Sequence, residues 1–159
     1  MIPGIVACGM MGESGDPYAA FRVTIANLNV DLSDPKRTWT ANGGAAVSGD
    51  WLNLDGAGDY LSTPESADLD FGTGDFCVEA FVDISGSPGG YVPVVTKWQT
   101  GALSYYFGIN STSHLALFAQ IGGGNYFIDA TTTAIPSGTP THIAWYRIGN
   151  DFYLSLIHI

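Results

Sequence analysis

Apolar and polar residues alternate along short stretches of this chain, and helical periodicity is nearly absent. Runs rich in Val, Ile, Tyr, Phe and Thr recur between clusters of Gly, Pro, Asn and Ser, a pattern typical of strands joined by turns. The pattern predicts an all-β sandwich. Its strands are expected at 21–30, 37–41, 51–55, 59–63, 75–84, 91–98, 103–110, 114–121, 125–131 and 141–148, with a last strand beginning at Phe152.

In three of these strands the alternation separates two faces, because successive side chains of a strand point to opposite sides. The residues that share one face are Phe76, Val78, Ala80 and Val82 in one strand, and Tyr105, Phe107 and Ile109 in another. In the third strand, Leu115, Leu117, Ala119 and Ile121 make the core face. The opposite side also carries aromatic residues, among them Tyr106 and Phe118. One face is therefore expected to pack the sandwich, and the other to form a partly exposed aromatic floor.

Composition narrows the class of partner. The 159 residues make one domain or most of one, and 46% are apolar, enough for a core. Fifteen acidic residues against five basic ones give a net charge of −10, which repels phosphate backbones and attracts divalent cations. No apolar stretch approaches the roughly 18 residues of a membrane helix. Nucleic-acid binding and membrane insertion are therefore not expected.

The stretch DGAGDYL, residues 55–61, has two interpretations. Asp caps turn amides and Gly takes positive φ, so the stretch fits a hairpin turn between two strands. Asp55 and Asp59 also offer carboxylates beside unobstructed Gly carbonyls, as a calcium site requires. A calcium ion needs six to eight ligands, more than these two side chains supply. The hairpin is therefore favoured, with calcium as the alternative cofactor.

From Gly43 onward the order of motifs resembles a laminin-G-like domain of the concanavalin A-like lectin/glucanase superfamily. The similar segments are WLNLDGAGDYLSTPESADLDFGTGDFCVEAFV, VVTKWQTGALSYYFGIN and IPSGTPTHIAWYRIGNDFYL. The resemblance implies a two-sheet antiparallel jelly roll, with loops at one rim that often bind calcium. The chain departs from the family at Pro140 and Phe81, where the family often has Trp.

The resemblance also suggests an organisation of the chain. Residues 1–20 are expected to be a lead-in segment and 21–153 a laminin-G-like sandwich that lacks its C-terminal strand or strands. Residues 16–51 resemble, more loosely, the lead-in strand of such domains in bacteriophage and metagenomic tail or fibre proteins. The final LSLIHI, residues 154–159, reads as one frame of a common transposase adapter, so this tail is expected to be non-native.

Candidate site residues follow from the aromatic floor and from the acidic residues. Ligand-binding candidates are Tyr106, Phe118, Gln120 and Trp145, with Trp98 and Tyr126 near strand ends. Glycoside hydrolysis needs two carboxyl groups flanking one bond. Glu79 and Asp83 share a strand face but have no third acidic partner, and His142 is expected to be a hydrogen-bonded structural residue. Catalysis is therefore not expected.

Two functions remain open. The first is a non-catalytic glycan-binding or adhesion module of a phage tail, virion or other surface protein, whose partner is a carbohydrate or cell-surface glycan. The second is a structural virion domain that assembles with other virion proteins. A hydrolase fragment is a weaker third reading. Fold analogy alone does not decide among them.

Overall fold

A computed structural model describes residues 5–8, 38–48, 51–65, 69–99, 102–121 and 124–158. This part of the chain is all-β, as the alternation predicts, and contains no helix long and apolar enough to span a membrane. The strand expected at 21–30 lies outside it. The strands are β1 (Ile5–Cys8), β2 (Thr40–Asn42), β3 (Ala46–Ser48), β4 (Trp51–Asn53), β5 (Tyr60–Ser62), β6 (Phe76–Val82), β7 (Val92–Gln99), β8 (Ala102–Ile109), β9 (Leu115–Ile121), β10 (Gly124–Asp129), β11 (Thr141–Ile148) and β12 (Asp151–His158).

The strands form two four-stranded antiparallel sheets and two small pairs. The first sheet has the order β1-β6-β11-β12, and the second has the order β10-β9-β8-β7. The small pairs are β2-β5 and β3-β4. Strand β1 comes from the segment that the sequence assigns to a lead-in, and it pairs with β6 along its whole length.

The two large sheets share one hydrophobic core. It is built from alternate residues of β6 and β11 in the first sheet and of β8 and β9 in the second. The strand alternation predicted from the sequence is confirmed here, although the side chain of Ile121 lies outside the described part. The buried strand residues are Val78, Ala80, Val82, Ile143 and Trp145 of the first sheet, and Tyr105, Phe107, Ile109, Leu115, Leu117 and Ala119 of the second.

Direct contacts join the sheets into a sandwich-like pair of layers. The indole Nε1 of Trp145 in β11 donates a hydrogen bond to the carbonyl of Ala116 in β9, at 3.1 Å. The rings of Tyr126 in β10 and Phe152 in β12 have centroids 4.7 Å apart. Strands β11 and β12 therefore lie over β9 and β10, and the far side of the second sheet is left as an outer face.

Strand β12 pairs with β11 from Asp151 to His158, across the position where the sequence predicts the start of a non-native tail. Leu154 and Leu156 pack against the core. Alternating apolar residues complete a sheet in this way whatever their origin, because one side of the strand is buried. The adapter origin of residues 154–159 stays a prediction.

Replacing Trp145 with Phe is expected to destabilise the fold by about 1–3 kcal/mol, because it removes core volume and the hydrogen bond from the indole to the Ala116 carbonyl. Urea unfolding followed by intrinsic fluorescence measures the change. Trp51→Phe makes the same chemical change at a half-buried position and should cost less. Equal losses from the two substitutions would contradict the role given to the inter-sheet hydrogen bond.

Candidate functional site

Three aromatic side chains stand in a row on the outer face of the second sheet. The register pairs Tyr106 of β8 with Phe118 of β9, and Phe118 with Phe127 of β10. Neighbouring strands lie about 4.8 Å apart, so the row crosses the sheet over about 10 Å. The rings of Phe118 and Phe127 meet edge to face, with centroids 5.9 Å apart.

A fourth ring joins this row from the opposite edge of the sheet. Tyr91 directly precedes β7, yet its hydroxyl donates a 2.6 Å hydrogen bond to Asp129 Oδ2 on β10. Its ring centroid is 6.0 Å from that of Phe127. The register places only the small residues Gly108 and Ala116 between β7 and Asp129, and both are buried although they lie on the outer side. The Tyr91 side chain therefore crosses the face above them.

The aromatic face consists of Tyr91, Tyr106, Phe118 and Phe127. Phe127 is 58% exposed and Tyr91 is 52% exposed, whereas Tyr106 and Phe118 are half-buried beneath them. Exposed aromatic rings grouped on one side of a sheet make this face a candidate binding surface. The two outer rings offer contact area, and the two inner rings support them.

Tyr106 lies flat over a glycine. A Cβ atom at Gly108 would collide with the Val92 carbonyl and with the ring of Tyr106. Burial raises the pKa of Tyr106, and the nearby Tyr91 and Asp129 raise it further. The phenol therefore stays neutral at physiological pH. The Tyr106 ring covers Gly108, which lies in the same row across the sheet as Asp129.

Polar groups flank the aromatic row on both sides. Asp129 follows Phe127 by two residues on the same side of β10, and its hydrogen bond is the main cause that raises the pKa of Tyr91. The other Asp129 oxygen, Oδ1, is buried and has no hydrogen-bond partner among the described residues. At the other end, Gln120 and Asn125 lie opposite each other, and both are exposed. The face thus combines apolar rings with a carboxylate and two amides.

The predicted ligand-binding residues fall into two groups. Tyr106, Phe118 and Gln120 lie together on the outer face. The prediction for Trp145 is wrong, because this residue is fully buried between the sheets and its indole N–H is bonded to a backbone carbonyl. Tyr126 points to the core side and contacts Phe152.

The side chain of Trp98 lies outside the described part of the chain. Four members of the site were missed from the sequence: Tyr91, Asn125, Phe127 and Asp129. Phe127 and Asp129 alternate within a predicted strand, and this spacing was a usable signal that they share one face.

The DGAGDYL stretch is not a hairpin, because β4 pairs with β3 and β5 pairs with β2. It is a loop held by its own carboxylates. Asp59 accepts the Gly44 amide on Oδ1 and the Asp55 amide on Oδ2, the latter at 2.9 Å. Gly43 has a φ of 67°, and a Cβ there would meet Asp59. Asp59 therefore ties this loop to the turn that follows β2.

The same hydrogen bonds affect whether Asp55 and Asp59 can bind a calcium ion. Both oxygens of Asp59 and the Oδ1 of Asp55 already accept backbone amides. No group of three or more His, Cys, Asp or Glu side chains within the described ranges could hold a metal ion. A hard cation that requires six to eight oxygens does not fit the residues around this loop.

The acid pair considered for hydrolysis lies on the outer side of the first sheet, away from the aromatic face. Glu79 Oε2 is 2.9 Å from His142 Nε2, and both side chains are mostly buried. The ring of Phe81 covers His142 with a centroid distance of 5.0 Å. His142 is therefore held by Glu79, in agreement with a structural role.

Comparisons of the chain with protein-family models, curated proteins and solved structures give no match. The resemblance to laminin-G-like domains stays a prediction from the series of motifs.

Asp59→Asn is expected to lower stability at neutral pH, because an amide offers one acceptor where the carboxylate satisfies two backbone N–H groups. These hydrogen bonds lower the pKa of Asp59 below its ordinary value of 3.8. Its contribution is therefore complete above about pH 4 and is lost as pH falls through the lower folded pKa. Urea midpoints of wild type and variant, measured from neutral to acidic pH, should converge at the acid end.

Asp55→Asn is the matched control, because its side chain accepts one described backbone hydrogen bond and the amide carbonyl can keep it. A larger loss at position 55 than at position 59, or a difference that grows on acidification, would contradict the role given to Asp59.

Gly108→Ala is expected to destabilise the protein by about 1–3 kcal/mol, because the added methyl group must displace the Val92 backbone or the Tyr106 ring. Thermal unfolding measures the effect. Gly90→Ala is the control, since a Cβ there meets nothing within 4 Å. If the two variants melt together, Tyr106 does not lie over Gly108 as described.

Proposed function

We propose that the chain is a non-catalytic glycan-binding or adhesion module and that the aromatic face is its binding surface. The observation that carries this proposal is the row of rings across β8, β9 and β10, with Tyr91 above it and polar groups at both ends. Sugar rings present C–H faces that stack on aromatic side chains, while their hydroxyl groups pair with amides and carboxylates. A ligand lying across the strands would contact about 10 Å of aromatic surface, the length of about two strand spacings.

The number and position of the carboxylates on the aromatic face support a binding role over a hydrolytic one. Hydrolysis of a glycosidic bond requires two carboxyl groups about 5–9 Å apart. Among the described outward positions of β7 to β10, Asp129 is the one acidic residue, and Glu79 is held by His142 on the other sheet. The face therefore has the groups that hold a sugar and not the pair that cleaves one.

The family and location belong to the same proposal. Two antiparallel four-stranded sheets around one core agree with a laminin-G-like jelly roll, and the series of motifs supports that family. The looser similarity of residues 16–51 to phage tail and fibre proteins supports a place on a virion or cell surface. Calcium is not needed for the proposed contact, and the described loop residues do not favour it.

A second function, assembly with other virion proteins, is favoured by the outer side of the first sheet. Ile148, Tyr153 and Ile157 are exposed there on β11 and β12, and the rings of Tyr146 and Tyr153 stack at 4.9 Å. Exposed apolar residues on one side of a sheet suit a protein partner. This surface is on the opposite side of the sandwich from the aromatic face, so substitutions can test the two functions separately.

Phe127→Ala is expected to weaken glycan binding by about tenfold or more, because it removes the most exposed ring of the row, and a central aromatic contact is commonly worth over 1 kcal/mol. Binding of the wild-type chain to a glycan array, with and without calcium, identifies a ligand, and calorimetry compares the variants. Tyr153→Ala is the control, because it removes an exposed ring from the outer side of the first sheet, opposite the aromatic face, and should leave glycan binding unchanged.

Equal binding by wild type and Phe127→Ala would exclude the aromatic face as the site. If no glycan binds, and soluble glycans leave the association of the chain with other proteins unaffected, the assembly function replaces the proposed one.

A further inference from the structure

We propose that Asp129 makes the aromatic face selective for neutral glycans over glycans that carry carboxylate or sulfate groups. This inference rests on the proposed function and adds the chemical class of the ligand. It assigns a specificity-determining role to Asp129, which accepts a hydrogen bond from Tyr91 and lies on the same side of β10 as Phe127.

The position of Asp129 puts its charge beside the ligand. Asp129 and Phe127 lie on the same side of β10, two residues apart, a spacing of about 7 Å along a strand. Electrostatic interactions extend over about 8 Å at physiological ionic strength. A sugar stacked on Phe127 and Phe118 is therefore within reach of the carboxylate.

The surroundings of Asp129 do not neutralise this charge. Its Oδ2 accepts a hydrogen bond from the neutral hydroxyl of Tyr91, and its Oδ1 has no described partner. The described outward positions of β7 to β10 carry no Lys or Arg. Lys97, at the β7 edge, is bound to Asp70 and lies 3.6 Å from Glu65.

The chain as a whole carries charge of the same sign, since its net charge is −10. An acidic sugar would approach a surface with no described cation to receive its charge. A neutral sugar can instead donate hydroxyl hydrogen bonds to the amide carbonyls of Gln120 and Asn125, which are exposed at the rim.

Two sets of oligosaccharides test the inference by calorimetry: neutral cellohexaose, xylohexaose and mannohexaose, and acidic hexagalacturonate and a heparin hexasaccharide. We expect the wild-type chain to prefer the neutral set. Asp129→Asn keeps a carbonyl acceptor for the Tyr91 hydroxyl and removes the charge. It should raise the affinity for the acidic set relative to the neutral set by roughly three- to tenfold.

Asp151→Asn is the matched control. It changes the net charge of the chain equally but lies exposed on β12, in the other sheet, so both sets should bind as they do to wild type. If Asp129→Asn does not fold, raising the salt concentration with wild-type protein serves instead. It should strengthen binding of the acidic set and leave the neutral set unchanged.

The outcomes separate the inference from the proposed function. If neither set binds and no glycan on the array binds, both the selectivity and the proposed glycan-binding function are rejected. If acidic glycans bind wild type as tightly as neutral ones, or Asp129→Asn leaves their ratio unchanged, the selectivity is overturned while glycan binding stands.

Discussion

The packing of β6 and β11 against β8 and β9 determines most of what the rest of the structure can do. Each of these strands buries every second residue, so the intervening residues are directed to the outside. Phe107, Leu117 and Trp145 bury the inner faces, and Tyr106 and Phe118 are outward for the same reason. A slip of one residue in β8 would bury Tyr106 and expose Phe107. The burial of the core therefore sets the register of the aromatic face.

The outer face depends further on small residues. Gly108 and Ala116 occupy the row that separates β7 from Asp129, and large side chains there would block the path of Tyr91. Because Gly108 has no Cβ, Tyr106 can lie flat against the sheet while its hydroxyl remains near Tyr91 and Asp129. Tyr91, Tyr106 and Asp129 come from three different parts of the chain, and they can meet because Gly108 and Ala116 between them are small.

The period-two pattern was enough to predict the all-β class, most of the strands, and the outward placement of Tyr106, Phe118 and Gln120. It could not supply the pairing of strands, since Phe127 joins the row only through the register of β10 on β9. Tyr91 was beyond prediction because its contact with Asp129 depends on a side chain that reaches across two neighbouring strands. Trp145 was misplaced because THIAWYRI has large side chains on both sides, so local alternation does not show which side is buried. DGAGDYL was misread as a hairpin because turn chemistry does not identify which strands pair.

The surplus of acidic residues has a structural use that the sequence alone does not reveal. Five basic residues cannot pair with fifteen acidic ones, and the described carboxylates find other donors. Asp59 accepts amides from two separate loops, Asp75 accepts the Gly149 amide at 2.7 Å, and Asp129 accepts the Tyr91 hydroxyl. Such bonds join loops without a cation, because an ionised carboxylate is a strong acceptor for neutral N–H and O–H groups. The described loops are therefore held together while the charge of the chain stays strongly negative.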